Sequence, residues 1–315
     1  MLIKSPGGTL TRNVYQAAKI IISSGRGLTR AEIAEIMGIT EMTIGKIAKY
    51  LLCSPYFSER KRTAQVGRCS GEIFLVEKYC FSVLNLENMK FSFTVFGSNM
   101  ELCHRHNTIY NGSLSYTDNL RILSNHIKNF LKDNTAAKIL GAGVIYNRNC
   151  EVKIENIISP DASKIQISKS RKEIIESLLL KKNTEGFSVY FYLSDKLYAC
   201  VADGHRIVNC RLNQGIKINN SIKNEKDLIG YLTNIVSNMF NLIIPESIIF
   251  ESDRYIINEK VLSALRESIK AQTEISEEAL PAFCTYKAPS FAESSMLDLL
   301  IDEFSQKAAN EIFTE

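Results

Sequence analysis

The sequence predicts a two-part protein of mixed α+β and α/β class: a small, basic, largely helical module over residues 1–78, then two similar lobes of mixed sheet over 79–315. Three observations lead there. Positive charge gathers at one end, because residues 1–72 carry 11 Lys/Arg against 5 Asp/Glu and the remainder 27 against 29. Apolar residues recur only at helical spacing as far as Leu51, and beyond it strand-like runs alternate with helical stretches. One order of elements (three strands, a helix and a strand) occurs twice, about 100 residues apart.

Composition narrows the field of functions. With 315 residues, 45% hydrophobic and 23% charged, the chain can fill real cores, which excludes collagen-like, tail-like and disordered classes. Runs such as FSVLNL fall far short of the ~18 apolar residues that span a bilayer, and the amino end holds no stretch resembling a signal peptide. A cytoplasmic protein without a membrane partner is expected. The eight cysteines (Cys53, Cys69, Cys80, Cys103, Cys150, Cys200, Cys210 and Cys284) are irregularly spaced with no Cys-x-x-Cys pair, so they are expected to be reduced and mostly in cores. A net +6 module on a body of net −2 suggests that the amino end alone meets a polyanion.

From Arg12, the spacing of Val14, Ala17, Ala18, Ile21 and Ile22 predicts a first helix that must stop at Ser23-Ser24-Gly25-Arg26-Gly27. Thr29 stands three residues before Glu32, a capping-box pattern, and Ile33, Ala34 and Met37 form the inner face of a short second helix ended by Gly38. Thr40 then caps a third helix with Ile44, Ile47, Ala48 and Leu51 on one side and Met42, Gly45, Lys46 and Lys49 on the other. Two helices joined by Gly38-Ile39 make a helix-turn-helix. A helix fits the major groove with its early residues at base edges and its later lysines at phosphates, so Thr40, Glu41, Met42, Thr43, Lys46 and Lys49 are the candidate contacts with double-stranded DNA. A three-helix interaction module would present a similar polar face. After Pro55, two strand-like stretches flank a loop with Arg60, Lys61, Arg62 and Arg68, the pattern of a wing whose cations lie along phosphates or enter a narrow minor groove.

In the body, FSVLNL, KFSFTVFG and ELCHRHNTIY read as strands, followed by a helix over Asp118 to Leu131 and the strand KILGAGVIY. FSVYFYL, KLYACVA and RIVNCRL, a helix over Asp227 to Leu242 and SIIF repeat that order, placing the lobes at about 79–150 and 183–315. Such a pair of lobes suggests a ribonuclease-H-like or actin-like architecture.

The winged helix-turn-helix, Gly67-Arg68 in the wing, the strand Gly71 to Leu75 and the duplicated lobes together resemble the ROK family of bacterial repressors and sugar kinases. The segments that carry the resemblance are RAEIAEIMGITEMTIGKIAKYLL, ILGAGVIY and YLTNIVSNMFNLIIPESIIF. It implies an actin-like ATPase fold, a dimer or higher assembly, DNA and a sugar or sugar-phosphate effector as partners for repressor members, and ATP for kinase members.

The chemistry is decided by departures from that family. Where its kinases place an Asp-x-Gly-x-Thr turn, this chain has Asn85-Leu86-Glu87-Asn88-Met89-Lys90, without a glycine for close approach and with Glu87 to repel phosphate. Ser194-Asp195-Lys196 replaces a Gly-Thr-Gly turn, and Glu251-Ser252-Asp253 replaces the glycines of the adenosine site. No nucleotide cofactor, no catalytic residue and no kinase activity are expected. The family's Glu-x-Gly-His segment falls near Gly215 to Asn220, which makes Lys217, Asn219 and Asn220 the candidate effector region by position. The alternatives are a ROK sugar kinase and a non-catalytic dimerisation scaffold.

Three weaker signals have bland explanations. Cys103-His104-Arg105-His106 contains zinc-ligand types, but on a strand Cys103 and His104 face opposite ways, so a strand with mixed faces is expected and no metal. Asp203-Gly204-His205 is chiefly a hairpin signal. The apolar side of a helix from Ser294 to Phe313 is expected to close the core of the second lobe, although a partner surface has the same pattern.

Overall fold

The computed structural model describes residues 8–61, 71–87, 90–109, 111–146, 163–181, 186–194, 196–203, 206–210, 216–218, 222–252, 254–273, 275–285 and 290–314. The chain forms two compact units, one of residues 1–168 with 296–315 and one of residues 169–295.

The first unit begins with α1 (Gly8–Ser23), one turn longer at its start than its apolar spacing predicts. Val14, Ala17, Ala18, Ile21 and Ile22 are its buried stripe. After β1 (Leu28–Thr29), Thr29 and Glu32 close the expected capping box on α2 (Arg30–Met37), and Gly38 ends that helix at φ +65°, the left-handed conformation that glycine adopts without strain. In α3 (Glu41–Cys53), the Thr40 hydroxyl accepts from the Thr43 N–H, and Ile44, Ile47, Ala48 and Leu51 are buried. β2 (Phe57–Lys61) and β3 (Gly71–Leu75) pair antiparallel from Phe57↔Leu75 to Lys61↔Gly71, and β1 joins the other edge of β3.

The same unit contains a five-stranded sheet in the order β6-β5-β4-β7-β8. Its strands are β4 (Tyr79–Glu87), β5 (Lys90–Phe96), β6 (Leu102–Ile109), β7 (Lys138–Tyr146) and β8 (Ser163–Ser170). α4 (Tyr116–Asp133) lays Leu123 and Ile127 on one face, against Leu84, Phe93, Ala142 and Val144. The other face receives α8 (Phe291–Thr314), whose residues from Met296 onward belong to this unit. The helix assigned from sequence to the second lobe therefore closes the first. The reason lies in β7: a Cβ on Gly143 would stand 2.4 Å from Met296 Cγ, and one on Gly141 would stand 3.2 Å from Leu300 Cδ2. The glycines of ILGAGVIY let a helix approach the sheet.

The second unit has the sheet order β11-β10-β9-β13-β14, with β12 (Ile216–Lys217) on β10. β9 (Ser188–Leu193), β13 (Ser247–Ser252) and β14 (Ala282–Thr285) run parallel, whereas β10 (Lys196–Ala202) and β11 (Ile207–Cys210) run antiparallel to their neighbours. α6 (Glu225–Phe240) and α7 (Glu259–Gln272) cover one face through Leu232, Val236 and Leu265. α5 (Arg171–Lys181) covers the other through Ile175 and Leu179. β8, α5, α7 and β14 were not legible as elements. Alternation in β9 explains the sandwich: Val189, Phe191 and Leu193 face α6 and α7, and Tyr190 and Tyr192 face α5.

Candidate nucleic-acid interface

Burial on one side of α3 exposes the other. Glu41, Met42, Lys46 and Lys49 are exposed, Met42 to 78%, and neither lysine has an ion pair among the described residues. Thr43 is half-buried, and its hydroxyl lies 2.9 Å from that of Thr40, so both threonines already serve the cap. Nothing lies within 4 Å of the place a Cβ on Gly45 would occupy. The result is a helix face with a bare centre, an apolar tip and two cations, a form suited to lying close against a polyanion.

The preceding helix is fixed from outside the pair. Arg26 donates from Nη1 to Glu32 at 3.0 Å, and the other Glu32 oxygen accepts from the Thr29 N–H at 2.7 Å. That backbone bond first, and the Thr29 hydroxyl and Arg26 after it, hold Glu32 below the usual carboxylate value. Arg30 reaches across to Glu59 of β2 at 3.0 Å.

On the hairpin, Lys61 is exposed at the end of β2, whereas Arg60 donates from Nε to Glu72 at 3.3 Å and lies over the Phe74 ring at 5.0 Å. The Arg60 charge is thus partly matched within the hairpin, a pairing set by the strand register that places Arg60 opposite Glu72. Arg62 and Arg68 lie outside the described residues. Sequence reasoning also missed what anchors this module: Tyr15 and Lys19 of α1 donate to Asp302 of α8, Tyr56 donates to Glu311 at 2.7 Å, and Tyr50 packs on Phe313 with centroids 5.1 Å apart. No local pattern announces contacts between residues more than 250 positions apart.

Of the candidate effector residues, Lys217 is exposed on β12, opposite Lys196, and Asn219 and Asn220 lie outside the described residues. Glu251, one of the residues expected to replace nucleotide-binding glycines, is 4% exposed. It accepts from Tyr190 at 2.6 Å and pairs with Arg171 at 3.2 Å. Burial, then the Glu251 charge, raises the Tyr190 phenol well above its ordinary value. Ser252 donates to the Leu193 carbonyl at 2.8 Å, tying the carboxyl ends of β9 and β13 together. Among the described residues no group of three or more His, Cys, Asp or Glu could hold a metal ion, and no helix is long and apolar enough to cross a membrane. Cys80 and Cys200 are buried as expected, but Cys53 and Cys103 are exposed.

No family model matches the sequence, and no curated protein matches it. Among solved structures, a ROK family transcriptional regulator described as a homologue of the E. coli MLC protein aligns with a TM-score of 0.60 and 13% identity, over 98% of this chain and 100% of that one. A ROK family protein from Streptococcus pneumoniae TIGR4, in complex with sucrose, aligns with a TM-score of 0.43 and 10% identity over 72% of this chain and 98% of its own. A ROK hexokinase from Thermus thermophilus gives 0.43 and 11%, over 70% and 98%. Over nearly its whole length the chain has the fold of a ROK family transcriptional regulator.

Proposed function

We propose that this chain is a ROK-type, sequence-specific DNA-binding transcriptional regulator, acting as a repressor without kinase activity, in which α1 to β3 form a winged helix-turn-helix. The observation that carries the proposal is α3: its apolar side is buried in the module while Glu41, Met42, Lys46 and Lys49 stand exposed, and Lys61 is exposed at the end of β2. Glu41, Met42 and Thr43 bias base choice, and Lys46, Lys49, Lys61 and Arg60, with Arg62 and Arg68, supply phosphate or minor-groove affinity. Glu251, held by Arg171 and Tyr190, supports the view that the second unit uses its sheet for packing rather than for phosphoryl transfer. A sugar or sugar phosphate is the proposed effector class, with Lys217, Asn219 and Asn220 as the region to probe. Binding of the full chain to genomic fragments at two salt concentrations tests this. Protection of specific fragments with a steep salt slope is expected; no protected fragment, together with sugar-dependent ATP consumption, would reverse the assignment.

A further inference from the structure

A cavity of about 280 Å³ lies inside the first unit, between the turn after α1, the β2–β3 hairpin and the β5–β6 turn. Arg26, Arg60, Phe74, Glu77, Ser98 and Cys103 are among its lining residues. Its walls are built rather than adventitious. Gly25 sits at φ +63° with the Asn99 carbonyl oxygen 2.4 Å from where a Cβ would stand, so only glycine lets the two turns meet. The facing turn is closed by bonds from Gly97 N–H to Glu101 and from Met100 N–H to Gly97, each 3.0 Å, and Met100 is held at φ +59°. Cys103 Sγ packs where a side chain on Gly97 would be.

We propose that this cavity binds a small hydroxylated organic anion, a hydroxy acid or its phosphate ester, and that occupancy weakens DNA binding. Two arginines from separate elements line it. Arg26 hydrogen-bonds through Nη1 and Arg60 through Nε, which leaves their other nitrogens without a hydrogen bond among the described residues. Such paired donors suit one carboxylate or phosphate head. Glu77 and Ser98 suit hydroxyls on the body, and the Phe74 ring and Leu75 suit its carbon skeleton. At ~30 Å³ per water-sized unit, the volume holds a ligand of roughly ten heavy atoms. The coupling follows from what each arginine already touches. Arg26 is bonded to Glu32, which closes the capping box on α2, and Arg60 stands near the loop end of β2 in the hairpin proposed to meet phosphates. An anion in the cavity neutralises Arg60 and competes with Glu32 for Arg26. Only this coupling rests on the DNA-binding proposal; occupancy of the cavity does not.

The experiment uses the full chain with D-glycerate, glycerol 3-phosphate, 3-phosphoglycerate and inorganic phosphate as probes, and glycerol as the uncharged control. Binding is measured by calorimetry, and alkylation of Cys103 by iodoacetamide is followed by site-resolved mass spectrometry, with the exposed Cys53 as internal reference. At least one hydroxylated anion should bind and slow Cys103 alkylation about tenfold without protecting Cys53, while glycerol does neither. Arg26→Gln should weaken that binding at least about tenfold, and Ser98→Trp, which fills the space from the opposite wall, should do the same. Circular dichroism of both variants confirms folding. Glycerate against glycerol 3-phosphate separates the carboxylate from the phosphate source. No protection by any probe, or equal affinity in wild type and both variants, overturns the site. Binding that depends on Arg26 but leaves affinity for a protected DNA fragment unchanged overturns the coupling, which linkage requires to act equally in both directions.

Discussion

Gly45 sits mid-helix, where glycine costs about 1 kcal/mol relative to alanine, yet nothing within 4 Å would obstruct a Cβ. No neighbour within the chain calls for the missing side chain, and on the DNA-binding proposal the bare position is accounted for by close approach of the bound surface. Gly45→Ala is expected to raise stability by about 0.5–1 kcal/mol in urea unfolding while lowering affinity for a protected fragment. A stabilised variant with unchanged affinity would remove the bare helix centre from the interface. Lys46, exposed and without an ion pair among the described residues, is a simple charge. Lys46→Ala should weaken binding to all sequences similarly and lower the salt slope by about one unit, measured by titrating affinity against salt. Arg60→Ala is a less simple test, since it also leaves Glu72 without the partner that Arg60 supplies.

Among the elements, β6 and α4 share a feature that the pattern Cys-His-Arg-His only half disclosed. Alternation turns His104 and His106 toward α4, where the His104 and Phe130 ring centroids lie 4.5 Å apart and His106 packs at a tilt on His126 with centroids 3.9 Å apart. Burial first, then His126 and His104, lowers His106 below its ordinary 6.5. Because the unfolded chain then binds the proton more readily than the folded one, this contribution to stability is present above about pH 6.5 and is lost as pH falls below it. The urea midpoint of wild type should therefore drop between pH 7 and pH 5.5 more steeply than that of His106→Gln; parallel curves would show that the imidazole pair carries no such linkage. Helix α8 offers a second test. Phe304 is 1% exposed, with its ring edge to Tyr56 at 5.0 Å and to Phe81 at 5.9 Å, so it joins the amino-terminal module to the sheet core. Phe304→Ala should cost about 3–5 kcal/mol, and the loss should appear in fragment binding as well as in unfolding.

For the whole molecule, a single winged module covers too little DNA for operator-level specificity, and a two-fold arrangement doubles the contacts on a palindromic site. A homodimer is expected, and sedimentation at micromolar concentration checks it; a strictly monomeric chain that protects one half-site would remove the expectation. Much of this molecule could be read locally. Caps at Thr29 and Thr40, the stop at Gly38 and the apolar stripes of α1 and α3 are set by neighbours within a few residues, where propensity and periodicity act. So could the charge of the module, and with it the candidate face of α3. Four things required the tertiary structure: that α8 closes the first unit rather than the second, that Gly141 and Gly143 serve its approach, that Arg60 is matched by Glu72, and that Arg26 and Arg60 share a cavity with Cys103. Each depends on residues brought together from distant positions, and an amphipathic pattern states that a face is buried without stating against what.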